Sequence, residues 1–459
     1  MAVDPALTLA EHVCRTTYAA LPASTVWATK RDMLDTFGAA LGGSVAPGVA
    51  ELASVIRHWG GREESSLWLL GGRVPAPQAA MLNATMGHAL DFDDTFDRAG
   101  SIHPGTSVLA AAMAVAEMQG GASGREVILA AALGLDVACR VALAATVDRG
   151  WHRTAAMGVF GATATAGKLL GLSPEQMLHA FGIAYSQAAG NRQCIVDGAL
   201  TKRLQAGQAA SSGVFAAILA REGFTGAQNV FAGRYGFYQM YQPDGADLQQ
   251  LTEGLGTIYR GEELSFKPYP CGRRAHATLD VALEMYQHLE LATAHAGADI
   301  AEVLVTTDPL SYRDQFEAGP HKRRPTQVVE AQFSTPFLVA AGLALGKIGI
   351  GEVAGVDNPQ VLALAARIQG AVRPGMPEGW AEITVRRTDG RTATLTSTHP
   401  YGSPERPLSD AQLAAKFRDC AAHALRPLTA AAVEQAIATV MQLEDSADAV
   451  ALLRLCAAA

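Results

Sequence analysis

The 459-residue sequence has few cysteines, and their spacing forms no recognisable site. The six are scattered along the chain and include no Cys-x-x-Cys pair. Such a distribution is poor material for a structural zinc site or a disulfide framework, and it is typical of a reducing compartment. The first residues lack the basic segment and apolar run of a secretory signal. We therefore expect a cytoplasmic protein without a bound metal.

Charge is also scarce and slightly negative overall. Charged residues make up 17% of the chain, and 36 Lys and Arg oppose 44 Asp and Glu for a formal net charge of −8. This balance argues against nucleic acid or an anionic membrane as the main partner. No window approaches the roughly 20 uninterrupted apolar residues of a membrane span. A hydrophobic fraction of 49% excludes a disordered chain.

Several well-known catalytic motifs are missing. The sequence has no Gly-x-Ser-x-Gly, no P-loop, no His-Glu-x-x-His and no strand-borne Gly-x-Gly-x-x-Gly. These absences exclude the common serine hydrolases, P-loop enzymes, zincins and Rossmann dehydrogenases. Acidic, histidine and lysine side chains without an organic cofactor remain, and that set suits proton abstraction next to a carbonyl or carboxylate.

The hydrophobic pattern predicts a mainly α fold with two domains, as the length also suggests. Apolar residues recur every three or four positions up to about residue 220, and Ser173 followed by Pro174 and Gln176 predicts a helix start. After about residue 261 the pattern becomes mixed. We expect a large all-helical domain (1–265 plus 405–459) and an inserted smaller α+β domain (266–404).

Within the second domain, alternating β-branched residues predict strands and longer apolar stretches predict helices. The expected strands are 300–307, 381–385 and 391–398, the last two joined as a hairpin at Asp389-Gly390. The expected helices are 275–288, 331–345 and 359–368.

Four carboxylates lie within seven residues, at Asp91, Asp93, Asp94 and Asp97. Like charges this dense repel one another unless something compensates them, or unless the segment is a solvated helix end. The pattern Asp93-Asp94-x-x-Asp97 fits the Mg²⁺-binding motif of helical terpene cyclases, but the second metal motif of those enzymes is missing. The alternative pairs one of these acids with His103 for proton transfer.

Basic and aromatic residues form three further candidate groups. His152 and Arg153 precede a glycine-punctuated helix, and Lys202 opens another. A third group is the string Lys267-Pro-Tyr269-Pro-Cys271-Gly-Arg273-Arg-Ala-His276, where two prolines hold the chain stiff. A lone histidine or a basic loop is more often structural than catalytic, but rigid placement of several titratable groups is what proton transfer requires.

Taken together, these motifs resemble the MmgE/PrpD family, which includes 2-methylcitrate dehydratases, cis-aconitate decarboxylases and iminodisuccinate epimerases. The resemblance is carried in consistent order by His88-Ala-Leu-Asp-Phe-Asp-Asp-Thr95, His103-Pro, Gly150-Trp-His152, Lys168-Leu-Leu-Gly-Leu-Ser, Ala180-Phe-Gly-Ile-Ala-Tyr-Ser-Gln-Ala-Ala-Gly190, Lys202, Gly223-Phe-Thr-Gly226, Lys267-Pro-Tyr-Pro-Cys271 and Ala331-Gln-Phe-Ser334.

The resemblance implies a site between the two domains, no organic cofactor, a homodimer, and a small di- or tricarboxylate substrate. It implies that Asp91, Thr95, His103, His152, Lys202 and Lys267 are polar site residues, of which we expect Thr95 and Lys202 to bind substrate and the others to be catalytic. The candidate groups described above add Tyr269 as a catalytic residue, and Arg153, Cys271, Arg273 and His276 as substrate-binding residues. The cations give a polycarboxylate its counter-charges.

Within this family we expect a hydro-lyase that resembles 2-methylcitrate dehydratase. His103 would hold the proton, Asp91 would orient the His103 ring, and His152 or Tyr269 would act as the partner acid. Epimerisation of an iminodisuccinate-type acid and decarboxylation of cis-aconitate are alternatives. Decarboxylating members carry a histidine shortly after the lysine, where this chain has Cys271-Gly272. A protein that only binds polycarboxylates is the non-enzymatic alternative.

Overall fold

The structure, a computed structural model, describes residues 4–291, 297–317 and 320–457. It is mainly helical, as the sequence predicts, with one smaller α+β region. The helices of the first part are α1 (Pro5–Arg15), α2 (Ala23–Gly43), α3 (Val49–Trp59), α4 (Ala76–Gly87), α5 (Pro104–Met118), α6 (Gly124–Leu143), α7 (Arg153–Ala156), α8 (Gly158–Leu169), α9 (Pro174–Tyr185), α10 (Gln193–Val196), α11 (Thr201–Arg221) and α12 (Phe237–Tyr241). A hairpin of two-residue strands, β1 (Ser65–Ser66) and β2 (Arg73–Val74), interrupts this helical part, and the sequence pattern did not predict it.

Helix α5 is the centre of the helical layer. Every residue from 104 to 117 is buried, and the helix packs against α4, α6, α8 and α11. Small residues allow this close approach. A Cβ added at Gly134 of α6 would lie 1.9 Å from the Thr165 hydroxyl of α8, so only glycine fits there. The expected start of α9 is confirmed, because Ser173 accepts a hydrogen bond from the amide of Gln176.

The α+β region contains one four-stranded sheet. Its strands are β3 (Ile300–Thr307), β4 (Ile368–Val372), β5 (Ala381–Arg387) and β6 (Thr392–Ser397), arranged in the order β4-β3-β5-β6. Strands β3 and β4 run parallel, and the other two pairs are antiparallel, including the expected hairpin. Its helices are α13 (His276–His288), α14 (Pro309–Tyr312), α15 (Val328–Gln332), α16 (Thr335–Leu345), α17 (Ile350–Ala354) and α18 (Pro359–Ala365).

Two expectations for this region are wrong in detail. The single helix expected over 331–345 is two, because the Ser334 hydroxyl caps a new helix by accepting a hydrogen bond from the Phe337 amide, 3.2 Å away. The helix expected over 359–368 ends at Ala365, and Ile368 begins strand β4.

The chain returns to helix in α19 (Asp410–Ala422), α20 (Ala430–Met441) and α21 (Ala451–Ala457). Two separate hydrophobic cores result. One is built mainly by residues before 267 together with those after 407, and the other by residues from 269 to 385, with Ile350 crossing to the first. We keep the proposed division into two domains on this basis. No helix in the described part of the chain is long and apolar enough to cross a bilayer.

Candidate functional site

A cavity of about 480 Å³ lies where segments of the helical part face segments of the α+β region. Its lining is unusually basic for a protein of net negative charge. Seven cationic side chains line it, Arg98, Arg153, Arg192, Lys202, Arg273, Arg274 and Arg313, against the four carboxylates Asp91, Asp148, Asp314 and Glu378. His103 and His152 also contribute to the wall. An anionic ligand would therefore find a surplus of positive charge.

The inner end of the cavity is built around Asp91. Its backbone has φ +51°, a left-handed conformation that aspartate tolerates better than most residues. Lys267 Nζ lies 2.5 Å from Asp91 Oδ1 and 3.0 Å from the Asp91 carbonyl oxygen. Lys202 Nζ is 3.1 Å from the same carboxylate oxygen. Burial alone would raise the pKa of Asp91, but the two ammonium groups outweigh it and hold the pKa well below its usual range.

Lys202 is a buried cation that faces the cavity. Its ion pair with Asp91 is not aligned as a hydrogen bond, and its Nζ makes none with the described residues. Lys267, by contrast, is fully buried and does not line the cavity. One carboxylate therefore offsets two ammonium groups, and Lys202 retains donors for a ligand carboxylate.

His103 stands at the start of α5 with one ring nitrogen available. Its Nδ1 lies 2.5 Å from the carbonyl oxygen of Asp94, which fixes the proton on Nδ1. Its Nε2 is 3.9 Å from Asp91 Oδ1. Burial, with a further contribution from Lys267, holds the pKa of His103 well below its usual value. The neutral ring therefore presents a lone pair on Nε2, as a general base requires.

His152 forms a second imidazole of the wall. Its Nδ1 lies 3.1 Å from Oε1 of Gln205, a residue of α11. Burial and the neighbouring His88 hold its pKa well below the usual value. The site thus contains two neutral histidines whose tautomers are set by neighbouring oxygen atoms.

Other residues that the sequence singled out lie outside the cavity lining. The Tyr269 hydroxyl donates to Asp280 Oδ1 at 2.8 Å, and burial with this carboxylate raises its pKa. Burial raises the pKa of the Cys271 thiol as well. The ring of His276 packs 5.2 Å from that of Tyr269. Thr95 makes paired backbone hydrogen bonds of 2.7 and 2.8 Å with Ser265, the last residue before the α+β region.

The two candidate arginines differ in whether a carboxylate neutralises their positive charge. Arg273 lines the cavity, but its charge is paired with Asp97, whose Oδ2 lies 2.8 Å from Nη2. Arg153 donates to the carbonyl oxygens of Ala99 (2.8 Å) and Val147 (3.1 Å), and no carboxylate of the described residues is within ion-pair distance. Arg153 therefore carries a charge that a ligand can neutralise.

The mouth of the cavity contains groups that sequence reasoning did not select. Asp314 accepts from Arg192 of the helical part at 2.6 Å and from Arg274 of the α+β region at 2.5 Å. Arg192 also pairs with Asp148 at 2.7 Å. These contacts join distant segments of the chain, so no local motif could have signalled them.

The acidic cluster does not form the magnesium motif that its spacing suggested. Asp93 contacts His88, Asp94 accepts from the amide of Gly105, and Asp97 pairs with Arg273. Among the described residues, the only group whose ligand atoms are close enough for a metal ion is His88, Asp93 and His103, within 4.8 Å. Each of these side chains already makes a short hydrogen bond, so we assign them to a hydrogen-bonded network.

The burial of a neutral histidine, His276, is expected to make the stability of the protein depend on pH. Burial, with Arg273 and Lys267, holds the pKa of His276 well below its usual value. The unfolded chain therefore binds a proton at this residue below about pH 6.5 that the folded chain does not. Stability from His276 is present above that pH and is lost as the pH falls. We expect the stability difference between the wild type and His276→Gln to shrink by about 1.4 kcal/mol between pH 7.5 and 5.5.

Urea unfolding of both proteins at the two pH values measures this difference. His58→Gln, which changes an exposed histidine, is the matched control and should show a constant difference. A His276→Gln difference that is equally independent of pH would contradict the assignment of a neutral His276.

Comparison with known proteins extends over nearly the whole chain. The model of the MmgE/PrpD N-terminal domain matches residues 7–249, and that of the MmgE/PrpD C-terminal domain matches residues 269–443. The cis-aconitate decarboxylase of Mus musculus is 30% identical over 446 residues, covering 93% of this chain and 88% of the relative. The cis-aconitate decarboxylase of Homo sapiens is 29% identical over 437 residues, covering 92% and 88%. A cis-aconitate decarboxylase of Aspergillus terreus is 27% identical over 405 residues, covering 82% and 80%. With both domain models matched in order around the cavity described above, the chain belongs to the MmgE/PrpD family.

Proposed function

We propose that this protein is a lyase that abstracts a proton from a carbon next to a carboxylate of a small di- or tricarboxylic acid. The observation that carries the proposal is the cavity's inner end, where the buried ammonium of Lys202 has free donors beside the Nε2 lone pair of His103. The first can bind a carboxylate, and the second can accept a proton from the adjacent carbon. The surplus of cationic side chains in the lining supports a substrate with two or three negative charges.

In the proposed reaction, Lys202 binds the carboxylate next to the reacting carbon, and the proton moves from carbon to His103 Nε2. Negative charge that develops on the carboxylate is stabilised by the ammonium of Lys202, with Lys267 behind it. The hydroxyl group leaves as water after it receives the proton that His103 Nε2 took from carbon, which returns His103 to its neutral form. His152 faces the same cavity and orients that hydroxyl group. Tyr269 receives no step in this scheme, because its hydroxyl is committed to Asp280.

Water loss, as in 2-methylcitrate dehydratase, is our first candidate, because the histidines are neutral and therefore ready to accept a proton. Decarboxylation of cis-aconitate is the second candidate, favoured by the similarity to cis-aconitate decarboxylases. That reaction needs a proton donor at carbon, which the ammonium of Lys202 supplies. The position five residues after Lys267, Gly272, lines the cavity without adding a titratable group.

Proton NMR of reactions with 2-methylcitrate, citrate, cis-aconitate and iminodisuccinate distinguishes these candidates by their products. The proposal expects loss of water from a 2-methylcitrate-type acid. Formation of itaconate with release of carbon dioxide would establish the second candidate instead, and racemisation of iminodisuccinate would establish epimerisation. Tight binding of these acids without any conversion would contradict the lyase proposal and favour a binding protein.

Arg153 gives the proposal a specific test of substrate charge. Since its guanidinium is hydrogen-bonded to carbonyl oxygens rather than to a carboxylate, we expect Arg153→Met to raise KM for a polycarboxylate by about 10- to 100-fold, the value of a charged hydrogen bond. We expect kcat to change much less, because Arg153 does not contact His103 or Lys202 in the structure. Steady-state kinetics with the best acid of the panel measures both constants.

The matched control is Arg313→Met. Arg313 also lines the cavity, but it is exposed and paired with Asp314 at 2.8 Å. We expect its KM to stay within about threefold of the wild type, since exposed ion pairs contribute little. Equal KM values for both variants and the wild type would contradict a substrate-binding role for Arg153.

A further inference from the structure

Three histidines pack together at the cavity wall, and the middle one, His88, does not line the cavity. The ring of His88 lies 4.9 Å from that of His103 and 5.4 Å from that of His152, the latter stacked. His88 is fully buried and does not line the cavity. It therefore touches both candidate acid–base residues without being able to touch a substrate in the cavity.

Asp93 connects this middle ring to His103. Its Oδ2 lies 2.6 Å from His88 Nδ1, and its Oδ1 lies 3.7 Å from His103 Nδ1. Asp93 is fully buried, and Oδ1 makes no hydrogen bond with the described residues. A buried carboxylate oxygen left without a donor is costly, so its retention calls for a functional reason.

Among the charged groups that face His103, Asp93 has the negative charge that is least compensated. His103 is faced by Lys267, Asp93, His88 and Asp91. Asp91 is already offset by two ammonium groups, at 2.5 and 3.1 Å. Asp93 receives one hydrogen bond, from a neutral imidazole, and its negative charge is therefore the less compensated of the two.

We propose that His88 and Asp93 are positioning residues for His103, an inference that rests on the function proposed above. His88 donates its Nδ1 proton to Asp93 and thereby holds an anionic oxygen facing His103. When the substrate proton reaches His103 Nε2, the electron pair of the C–H bond stays on the substrate. His103 keeps the proton on Nδ1, which is hydrogen-bonded to the Asp94 carbonyl oxygen, and the ring becomes an imidazolium. The Asp93 carboxylate stabilises that positive charge, as an acid behind a catalytic histidine does.

The test separates the charge of Asp93 from the shape of the core with three variants. Asp93→Asn keeps the volume and removes the charge. His88→Leu removes the donor to Asp93, whereas His88→Asn retains a nitrogen donor at the place of Nδ1. We expect Asp93→Asn and His88→Leu to lower kcat by about 10- to 100-fold with KM within about threefold, since only the charged transition state is affected. We expect His88→Asn to stay within about threefold of the wild-type kcat.

Near-ultraviolet circular dichroism of each variant checks the native packing, and Asp93→Asn alone decides the case if His88→Leu does not fold. The inference is overturned by a wild-type kcat in Asp93→Asn, or by equal losses in His88→Asn and His88→Leu. It is also overturned if EDTA abolishes activity and Zn²⁺ restores it, because the three side chains would then be metal ligands. A wild-type protein inactive on the whole panel refutes the proposed function itself, and an active wild type with an unimpaired Asp93→Asn refutes this inference alone.

Discussion

Replacing His103 by asparagine is expected to lower kcat by roughly 10²–10⁴-fold, the usual contribution of a general base. Asparagine places a nitrogen donor near the position of Nδ1, so the hydrogen bond to the Asp94 carbonyl oxygen can persist. Only the Nε2 lone pair is lost. We expect KM to change little, because the charged groups that bind the substrate remain. Steady-state kinetics on the best acid of the panel measures the effect.

The matched control for this substitution is His179→Asn. His179 is a half-buried histidine of α9 that contacts the carbonyl oxygen of Gly226 and does not line the cavity. We expect its kcat to equal that of the wild type. Full turnover in His103→Asn would show that another group takes the substrate proton.

Replacing Asp91 by asparagine is expected to destabilise the protein by about 3–5 kcal/mol, because it leaves two buried ammonium groups without their carboxylate. Asparagine tolerates the left-handed backbone at this position, so the change tests charge rather than conformation. Urea unfolding at pH 7 measures the loss.

The same variant makes a second measurement possible. A polycarboxylate that binds Lys202 would replace the missing negative charge, so we expect citrate to raise the melting temperature of Asp91→Asn more than that of the wild type. The control is Asp136→Asn, because Asp136 and its partner Arg140 are buried and lie outside the cavity lining. A citrate effect on Asp91→Asn no larger than on the wild type would contradict a carboxylate site at Lys202.

The fold was predictable wherever local chemistry and burial agree. The capped start of α9 and the alternating strands β3, β5 and β6 follow from short-range patterns. Strand β4 did not, since Ile368–Val372 has a weak pattern of its own and gains its structure by pairing in parallel with β3. Such pairing between distant segments leaves no periodicity to detect. The break at Ser334 was missed because apolar residues continue through it.

The candidate site was predictable to the extent that its residues lie in dense motifs. Asp91, His103, His152 and Lys202 line one cavity, as the order of the motifs suggested. Several residues that follow Lys267 were predicted to line the site and do not, because adjacency along the chain does not fix the direction of a side chain. Tyr269 instead faces Asp280. His88 and Asp93 were visible in the acidic cluster, but their position between the histidines depends on packing across three helices.

The proposed function depends most directly on the transfer of a proton to His103 from a carbon next to a carboxylate. Deuterium incorporation measures this step directly, by proton NMR of wild-type protein and His103→Asn with the panel acids in D₂O. We expect deuterium at a carbon adjacent to a carboxylate with the wild type, and a rate lower by roughly 10²–10⁴-fold with His103→Asn. Substrate turned over by the wild type with no exchange or loss at such a carbon, or equal rates in both proteins, would contradict this transfer to His103.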